Sequence, residues 1–307
     1  MNDRDTGTLC VVAILRGELP FVHEWLAYHR ILGVDHFILY DDDPSLPLKA
    51  CLEPHGACVT IVDWHGTSSP LPGRNRQTKA YLDALPRMSS RYEWVSYLDG
   101  DEFIALRKHS SVQALLADFT DAEAVSLNWH CFGNNGHFRD PSDLVISSLT
   151  RRANRPSPRH KSITRVNAIA DIQSAHSCVL RPGSRWVDAN GRPYSDDIYP
   201  GKTDVAHVNH YMCRSFLRWM DRPRRGDVGY DERTGMSMGD ENRWKLSRAG
   251  CLRAYLSRVL IDKHRRVDLE MLPFREPVQD YLRAMGLARR LRGRSGAASA
   301  LVPDRAA

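Results

Sequence analysis

Through the first hundred residues, apolar runs of strand length alternate with segments of helical period. Leu9-Cys-Val-Val-Ala-Ile-Leu15 is apolar at every position, as a strand buried on both faces must be. Pro20 suits a first helical turn, and Phe21, Trp25, Tyr28 and Leu32 follow at steps of four, three and four before Gly33, where a helix end favours glycine. Residues 36–40 predict a second strand, 46–53 a short helix, 59–62 a third strand, 66–73 a loop, 77–85 a helix and 94–98 a fourth strand. This alternation predicts an α/β protein: a single open, mostly parallel twisted sheet flanked by helices. Such sheets bind ligands beyond the carboxyl ends of their strands. Three of the four runs end there in a polar cluster: Arg16-Gly-Glu18, Asp41-Asp42-Asp43 and Asp99-Gly-Asp101.

Past residue 120 the pattern loosens. Strands are expected near 124–128, 161–166, 177–181 and 205–211, and helical patterns return at 214–221 and 243–260. Charged residues at 26% and hydrophobic ones at 42% are ordinary globular values and exclude a disordered or collagen-like chain. The seven cysteines are scattered with no Cys-x-x-Cys pair, as expected of free thiols in a reducing compartment. Neither a signal peptide nor a membrane-length apolar run is apparent at the start, so a cytoplasmic location is expected. The net charge of +6 is uneven: Arg283 to Arg294 holds five arginines and no acid, and the remainder is near neutral. A nucleic-acid binder would carry its basic residues over the body, so no nucleic-acid partner is expected.

Asp99-x-Asp101 directly after an apolar strand is the sharpest chemical signal. Two carboxylates one residue apart at a turn can reach one hard divalent cation, which a nucleoside diphosphate would share through its phosphate oxygens. The same pair could instead be a solvated turn. In His207-Val-Asn-His210-Tyr211, strand alternation puts His210 on the face opposite His207, as a cation ligand or as a core histidine. Trp129-His-Cys-Phe132-Gly-Asn-Asn-Gly136-His137 combines rings with Gly and Asn, either a platform for a sugar or a turn at the edge of the core.

Taken in order, these residues resemble the glycosyltransferase family 92 and family-2-like group with the GT-A fold, from about Leu9 to Gly226. The family's Glu-Trp-x-x-Tyr-His-x-x-x-Gly appears as Glu24-Trp25-Leu-Ala-Tyr28-His29-Arg-Ile-Leu-Gly33, and its Phe-x-x-Tyr-Asp-Asn as Phe37-Ile-Leu-Tyr40-Asp41-Asp42. Its Arg-x-x-Gln-x-x-x-Tyr appears as Arg74 to Tyr81, and its Trp-x-x-x-x-Asp-x-Asp-Glu-Phe as Trp94 to Phe103. The aromatic loop matches Trp129 to His137, a Lys-x-Ile-x-Arg segment matches Lys161 to Arg165 with His176 beyond it, and Asn-His-Tyr-x-x-Lys-Ser matches Asn209 to Ser215. A last motif, Lys-x-x-Arg-Gly, matches Arg222 to Gly226. Gly17 and Asp42 replace asparagines, Asn134 replaces a serine, and Arg214 and Arg222 replace lysines, which keeps charge but not shape.

The resemblance implies a glycosyltransferase that moves a sugar from a nucleotide-sugar donor, with a UDP-sugar favoured, to an acceptor hydroxyl of a glycan or lipid-linked glycan. Inversion and a role in cell-envelope polysaccharide synthesis are part of that expectation. It implies that Arg16, Glu18 and Asp41 line the nucleoside pocket, with Arg74, Gln77, Asp99, Lys161 and Arg225 on the donor. Asp99, Asp101 and His210 would hold Mn²⁺ or Mg²⁺, and Trp129, Phe132 and His137 would meet the acceptor. Arg165 and Arg222 are further candidates to neutralise diphosphate. Asp140 is the chosen catalytic base, with Asp196 and Asp197 as rivals. A sugar nucleotidyltransferase, or a non-catalytic carbohydrate- or nucleic-acid-binding protein, are the alternatives. The expected organisation is a transferase domain over 8–230, with a nucleotide-binding half at 8–103 and an acceptor half at 104–230. A helical extension over 231–285 and a disordered basic tail over 286–307 would follow. That tail could dock the protein peripherally on the inner face of an anionic membrane.

Overall fold

The computed structural model describes residues 8–43, 48–66, 74–194, 201–225 and 247–287. Asp196, Asp197, Gly226 and the basic stretch from 288 onward lie outside the described residues. Thirteen strands are formed among those described: β1 Leu9–Leu15, β2 His36–Asp41, β3 Val59–Asp63, β4 Trp94–Tyr97, β5 Glu102–Leu106, β6 Ala124–Cys131, β7 Arg151–Arg152, β8 His160–Arg165, β9 Ile169–Asp171, β10 Val179–Leu180, β11 Trp186–Asp188, β12 Ala206–His210 and β13 Arg266–Val267. The helices are α1 Leu19–Ile31, α2 Leu48–Leu52, α3 Arg76–Met88, α4 Val112–Leu116, α5 Val145–Ser148, α6 Phe216–Met220, α7 Arg222–Arg225, α8 Arg248–Ala254 and α9 Arg275–Ala284.

Nine strands share one sheet in the order β3-β2-β1-β4-β8-β6-β12-β5, with β11 beside β6. The pairs β1–β2, β2–β3, β1–β4, β6–β12 and β6–β11 are parallel, whereas β8 runs antiparallel to both β4 and β6, and β5 antiparallel to β12. The expected mostly parallel α/β sheet is therefore present. Because β8 is reversed twice over, β4, β6 and β12 end at the same edge where β8 begins. Asp99, Cys131, His210 and Lys161 gather there.

β1 shows why its run had to be apolar throughout. Leu9, Val11, Ala13 and Leu15 pack with Phe21, Trp25 and Tyr28 of α1, while Cys10, Val12 and Ile14 pack with Ala80, Tyr81, Ala84 and Met88 of α3. Helices thus cover both faces. α1 carries its proline in the first turn, and Gly33, at φ 102°, turns the chain out with its N–H on the Arg30 carbonyl.

Several elements depart from the expected pattern. β5 starts immediately after Asp101, and residue 103 falls inside it, so the nucleotide-binding and acceptor halves share one continuous sheet. The C-terminal segment is built into the body: Met271, Val278 and Leu282 join the core of α1, and β13 pairs with β7. The helical pattern expected over 243–260 is realised as α8 followed by a π-helical stretch, Tyr255–Leu260, and residues before 247 lie outside the described ones.

Candidate active site

The site edge is assembled by a turn. β4 ends, Asp99-Gly100-Asp101 crosses the edge, and β5 returns from Glu102. The Asp99 backbone N–H donates to Glu102 Oε2 at 2.8 Å, tying the turn to the first residue of β5. Asp99 Oδ1 accepts from Gln77 Nε2 at 2.7 Å, and Oδ2 lies 3.3 Å from Lys161 Nζ. Lys161 also pairs with Glu102 at 3.2 Å and donates to the Ala175 carbonyl at 2.9 Å. Lys161 is almost fully buried and Glu102 fully so. Burial pushes the Glu102 carboxyl up to about 8 even though the Lys161 ammonium pulls the other way. Burial works against the Lys161 charge too, but Asp99 and Glu102 more than offset it and raise its pKa. One buried cation thus serves two acids, and near neutral pH Glu102 is held largely protonated, which leaves Asp99 as the ion-pair partner of Lys161.

Asp101 faces His210, at 3.4 Å from Nε2. Burial disfavours the Asp101 carboxylate, but His210 and the guanidiniums of Arg214 and Arg222 outweigh it and hold the carboxyl well below its usual range. By the same pairing His210 is raised, although burial opposes its charge. Trp129 packs on His210, ring centroids 4.3 Å apart, and also meets His176 edge-on at 5.2 Å. Side chains of Asp99 and Asp101 remain 32% and 23% exposed, so both oxygen donors can be reached from solvent. Among the described residues, no three His, Cys, Asp or Glu side chains already converge as a metal centre. The donors present are nonetheless hard oxygens with one imidazole nitrogen, which suit Mn²⁺ or Mg²⁺ when a ligand's own oxygens complete the shell.

The turn after β1 meets the turn after β4. A Cβ on Gly100 would lie 2.9 Å from Leu15 Cδ2 and 3.1 Å from Glu18 Cγ, so a side chain there would have to push both aside where the two turns touch. Glu18 pairs with Arg214, whose Nη2 donates to the Gly100 carbonyl at 2.6 Å. Arg214 and Arg218 stack over the Phe21 ring, 3.9 and 4.5 Å from its centroid. Glu18, Asp101, Tyr211, Met212, Arg214, Arg218 and Arg222 line the cleft that results. Beyond β2, Arg16 pairs with Asp42 at 2.6 Å and Arg76 with the same carboxylate at 2.5 Å. Asp41, expected at the nucleoside, instead accepts the Leu48 N–H at 2.7 Å and is buried, which raises its carboxyl. Its neighbour Asp42 is the one that engages Arg16.

Other expected residues fall differently. Arg74 turns to Asp171 at 2.5 Å. Phe132 is buried against Tyr211, ring centroids 4.6 Å apart, and offers no open face for a sugar; His137 is half-buried in the same loop. Both Asp140 oxygens are engaged, by Ser215 Oγ at 2.7 Å and Arg218 Nε at 3.0 Å. Burial would raise its carboxyl, but Arg218 and Ser215 lower it, which suits an anchor for Arg218 better than a proton acceptor. Arg165 is a correction: it pairs in register with Trp94 at the opposite end of β4, stacks on that ring at 4.2 Å and binds Glu93, so it cannot reach a diphosphate at the Asp99 edge. Arg225 closes α7. Sequence reasoning gave no role to Glu102, Arg76 or Arg218. Glu102 was legible as the acid completing Asp99-x-Asp101-Glu102; Arg76 and Arg218 depended on helix phase and long-range packing, which no local signal carried.

The chain is 26% identical over 223 residues to a glycosyltransferase family 92 protein of Ricinus communis, covering 68% of this chain and 36% of that protein. A family 92 protein of Arabidopsis thaliana is 26% identical over 216 residues, covering 66% and 35%. The chain thus spans about a third of the length of the curated relatives it matches. Among solved structures it is similar to glucosyl-3-phosphoglycerate synthase from Mycobacterium tuberculosis in complex with Mn²⁺, UDP and phosphoglyceric acid, at 12% identity and TM-score 0.35 over 61% of this chain and 70% of that one. The sequence profile of glycosyltransferase family 92 matches residues 8–247, most of the chain, and the chain belongs to that family.

Proposed function

We propose that this chain transfers a glycosyl group from a nucleotide-sugar donor, a UDP-sugar first among those to try, to an acceptor hydroxyl. The observation that carries the reading is the gathering of Asp99, Asp101, His210 and Lys161 on one sheet edge of a family 92 chain. Asp101 and His210, with Asp99, would hold Mn²⁺ or Mg²⁺, and such an ion supplies charge neutralisation to a departing diphosphate. The chain's own part is preorganisation. Gln77 and Lys161 fix Asp99, Trp129 and Asp101 fix His210, and Arg214 ties the β1 turn to the β4 turn. The guanidiniums of Arg214, Arg218 and Arg222 place positive charge in the cleft beside Asp101, where negative charge would develop on the leaving group. Attack by the acceptor from the opposite face would invert the anomeric centre. Release of nucleoside diphosphate from UDP-, GDP- and dTDP-sugars, with and without Mn²⁺, tests the reading. Release that depends on Mn²⁺ and on Asp101 supports it, and no release from any donor, with no thermal stabilisation by any of them, defeats it.

A further inference from the structure

Large hydrophobic side chains exposed among the described residues are concentrated in one place. Leu252, Leu256 and Leu260 follow at steps of four along α8 and the π-helical stretch after it, and Ile261, Val267 and Leu269 continue the run. A four-residue step is close to one turn of either helix type, so the three leucines form a stripe. Leu256 is 51% exposed and Ile261 57%. The opposite face is firmly seated: Cys251, Ala254, Tyr255 and Val259 are buried with Trp219, and Trp219 Nε1 donates to the Cys251 carbonyl at 2.8 Å. The helix is therefore mounted rigidly, with an apolar stripe facing water.

The polar positions around the stripe are strongly one-signed. From Ser247 to Leu269 the chain carries Arg248, Arg253, Arg258, Lys263, Arg265 and Arg266 against two acids, Asp262 and Asp268, the second of them paired with the buried Arg152. All six cations are exposed or half-exposed. A leucine stripe bordered by arginines is the composition of a helix that lies in the plane of an anionic membrane surface: the apolar face enters the acyl boundary while the cations meet lipid phosphates. Among the described residues, no helix is long and apolar enough to cross a membrane, so contact of this kind would be peripheral.

The far end of this segment touches the aromatic loop. A Cβ on Gly133 would lie 2.2 Å from the His264 ring, and Asn135 N–H donates to His264 Nε2 at 3.2 Å. A surface bound along Leu252–Leu260 would thus lie near the loop that follows β6, the strand that carries Trp129.

We infer that the outer face of residues 248–269 docks on an anionic lipid bilayer. This goes beyond glycosyl transfer and stands or falls without it. The test is co-sedimentation of the full-length chain with vesicles of phosphatidylcholine, plain or containing about 30% phosphatidylserine. The parent chain should bind the anionic vesicles and lose that binding as salt rises. Replacing Leu252, Leu256 and Leu260 together by glutamine (L252Q, L256Q and L260Q) should lower the partition coefficient by about tenfold or more, at an unchanged Tm. A second full-length variant, with Arg289, Arg290, Arg292 and Arg294 changed to glutamine, separates this face from the basic terminus. Docking by this face is overturned if the leucine variant sediments like the parent, or if only the arginine variant loses binding. It is equally overturned if the parent binds no vesicles, or if ultracentrifugation shows that the leucines instead hold two copies of the chain together. Nucleoside diphosphate release measured without lipid reports on glycosyl transfer separately, so failure of that reaction leaves the docking result standing.

Discussion

Two groups of matched residues behave in opposite ways. The Glu24-Trp25-x-x-Tyr28-His29 face of α1 is buried and hydrogen-bonded at every member. Glu24 accepts the Val145 and Ile146 N–H groups, Trp25 Nε1 donates to the Glu102 carbonyl at 2.7 Å, and Tyr28 Oη donates to the Ile104 carbonyl at 2.6 Å. His29 Nδ1 faces the Trp25 carbonyl at 2.9 Å, and its Nε2 accepts the Ile104 N–H at 3.3 Å. The edge after β4, by contrast, crowds carboxylates around one buried lysine and leaves Glu102 Oε1 without a partner among the described residues. A motif on the first surface is a clasp that fastens β5 and α5 to α1. A motif on the second holds buried electrostatic strain directly behind the partly exposed Asp99 and Asp101, which is where chemistry is to be sought.

The sharpest way to break this comparison is to exchange the consequences. Trp25→Ala removes a fully buried ring and the partner of the Glu102 carbonyl, and should cost about 3–5 kcal/mol of stability, read by urea unfolding. The protein that remains folded should keep most of its turnover. Asp101→Asn should do the reverse: transfer falls by roughly 10²–10³-fold, about 2.7–4 kcal/mol of transition-state stabilisation, while the unfolding midpoint stays within a few degrees. An Asp101→Asn chain that is fully active, or a Trp25→Ala chain as stable as the parent, would erase the distinction.

Acid should act on both sides, through buried histidines on the clasp, beside the site and elsewhere in the core. Burial lowers His29, on the clasp, and His55, in the turn before β3, to about 4, and His130 of β6 and His176 beside Trp129 to about 3. These groups are neutral when folded and take up protons near 6.5 when unfolded. Their stabilisation is therefore complete above pH 6.5 and declines as pH falls towards 4, by at most about 1.4 kcal/mol per pH unit for each. Glu102 opposes them: its raised folded pKa means that stability is gained, not lost, as pH falls from 8 towards the ordinary glutamate value. The buried neutral histidines outnumber the raised carboxyls, so the chain should be less stable at pH 5 than at pH 7, by a few kcal/mol or more. Equal urea midpoints at the two pH values would show that these histidines are not held neutral.

The same contrast explains what could be read from the sequence. β1 to β4, α1 and α3 were visible because each is local: an apolar run or a 3.6-residue period suffices, and Pro20 and Gly33 mark both ends of α1. β5 was not, because β12, its only partner among the described residues, lies about a hundred residues further on, and Glu102-Phe-Ile-Ala-Leu106 directly after an acidic turn looks like the turn's continuation. Asp99, Asp101 and His210 could be placed on one edge because the strand ends and the resemblance agreed. The division of labour between Asp41 and Asp42, adjacent acids at the end of β2, could not. It is decided by α2 supplying the Leu48 N–H to one and by Arg16 and Arg76 converging on the other.

Lys161 and Arg165 give the finest version of the test, because they share one strand and one motif. Four residues along β8 separate the Asp99 edge from the far edge, where Arg165 stacks on Trp94 and pairs with Glu93. Its side chain is about one-fifth exposed, so both interactions are partly screened. Arg165→Met keeps most of the stem's packing and removes the charge. It should cost about 1 kcal/mol of stability and leave the KM for the donor unchanged. Lys161→Met leaves Asp99 and Glu102 facing each other without their shared cation, and should raise the donor KM or depress turnover at equal metal concentration. The expected result is a split within one strand: stability alone moves for the residue at position 165, and kinetics move for the one at 161. If Arg165→Met raised the donor KM as much as Lys161→Met did, the far edge would be part of the donor site, and confining the chemistry to the Asp99 edge would be wrong.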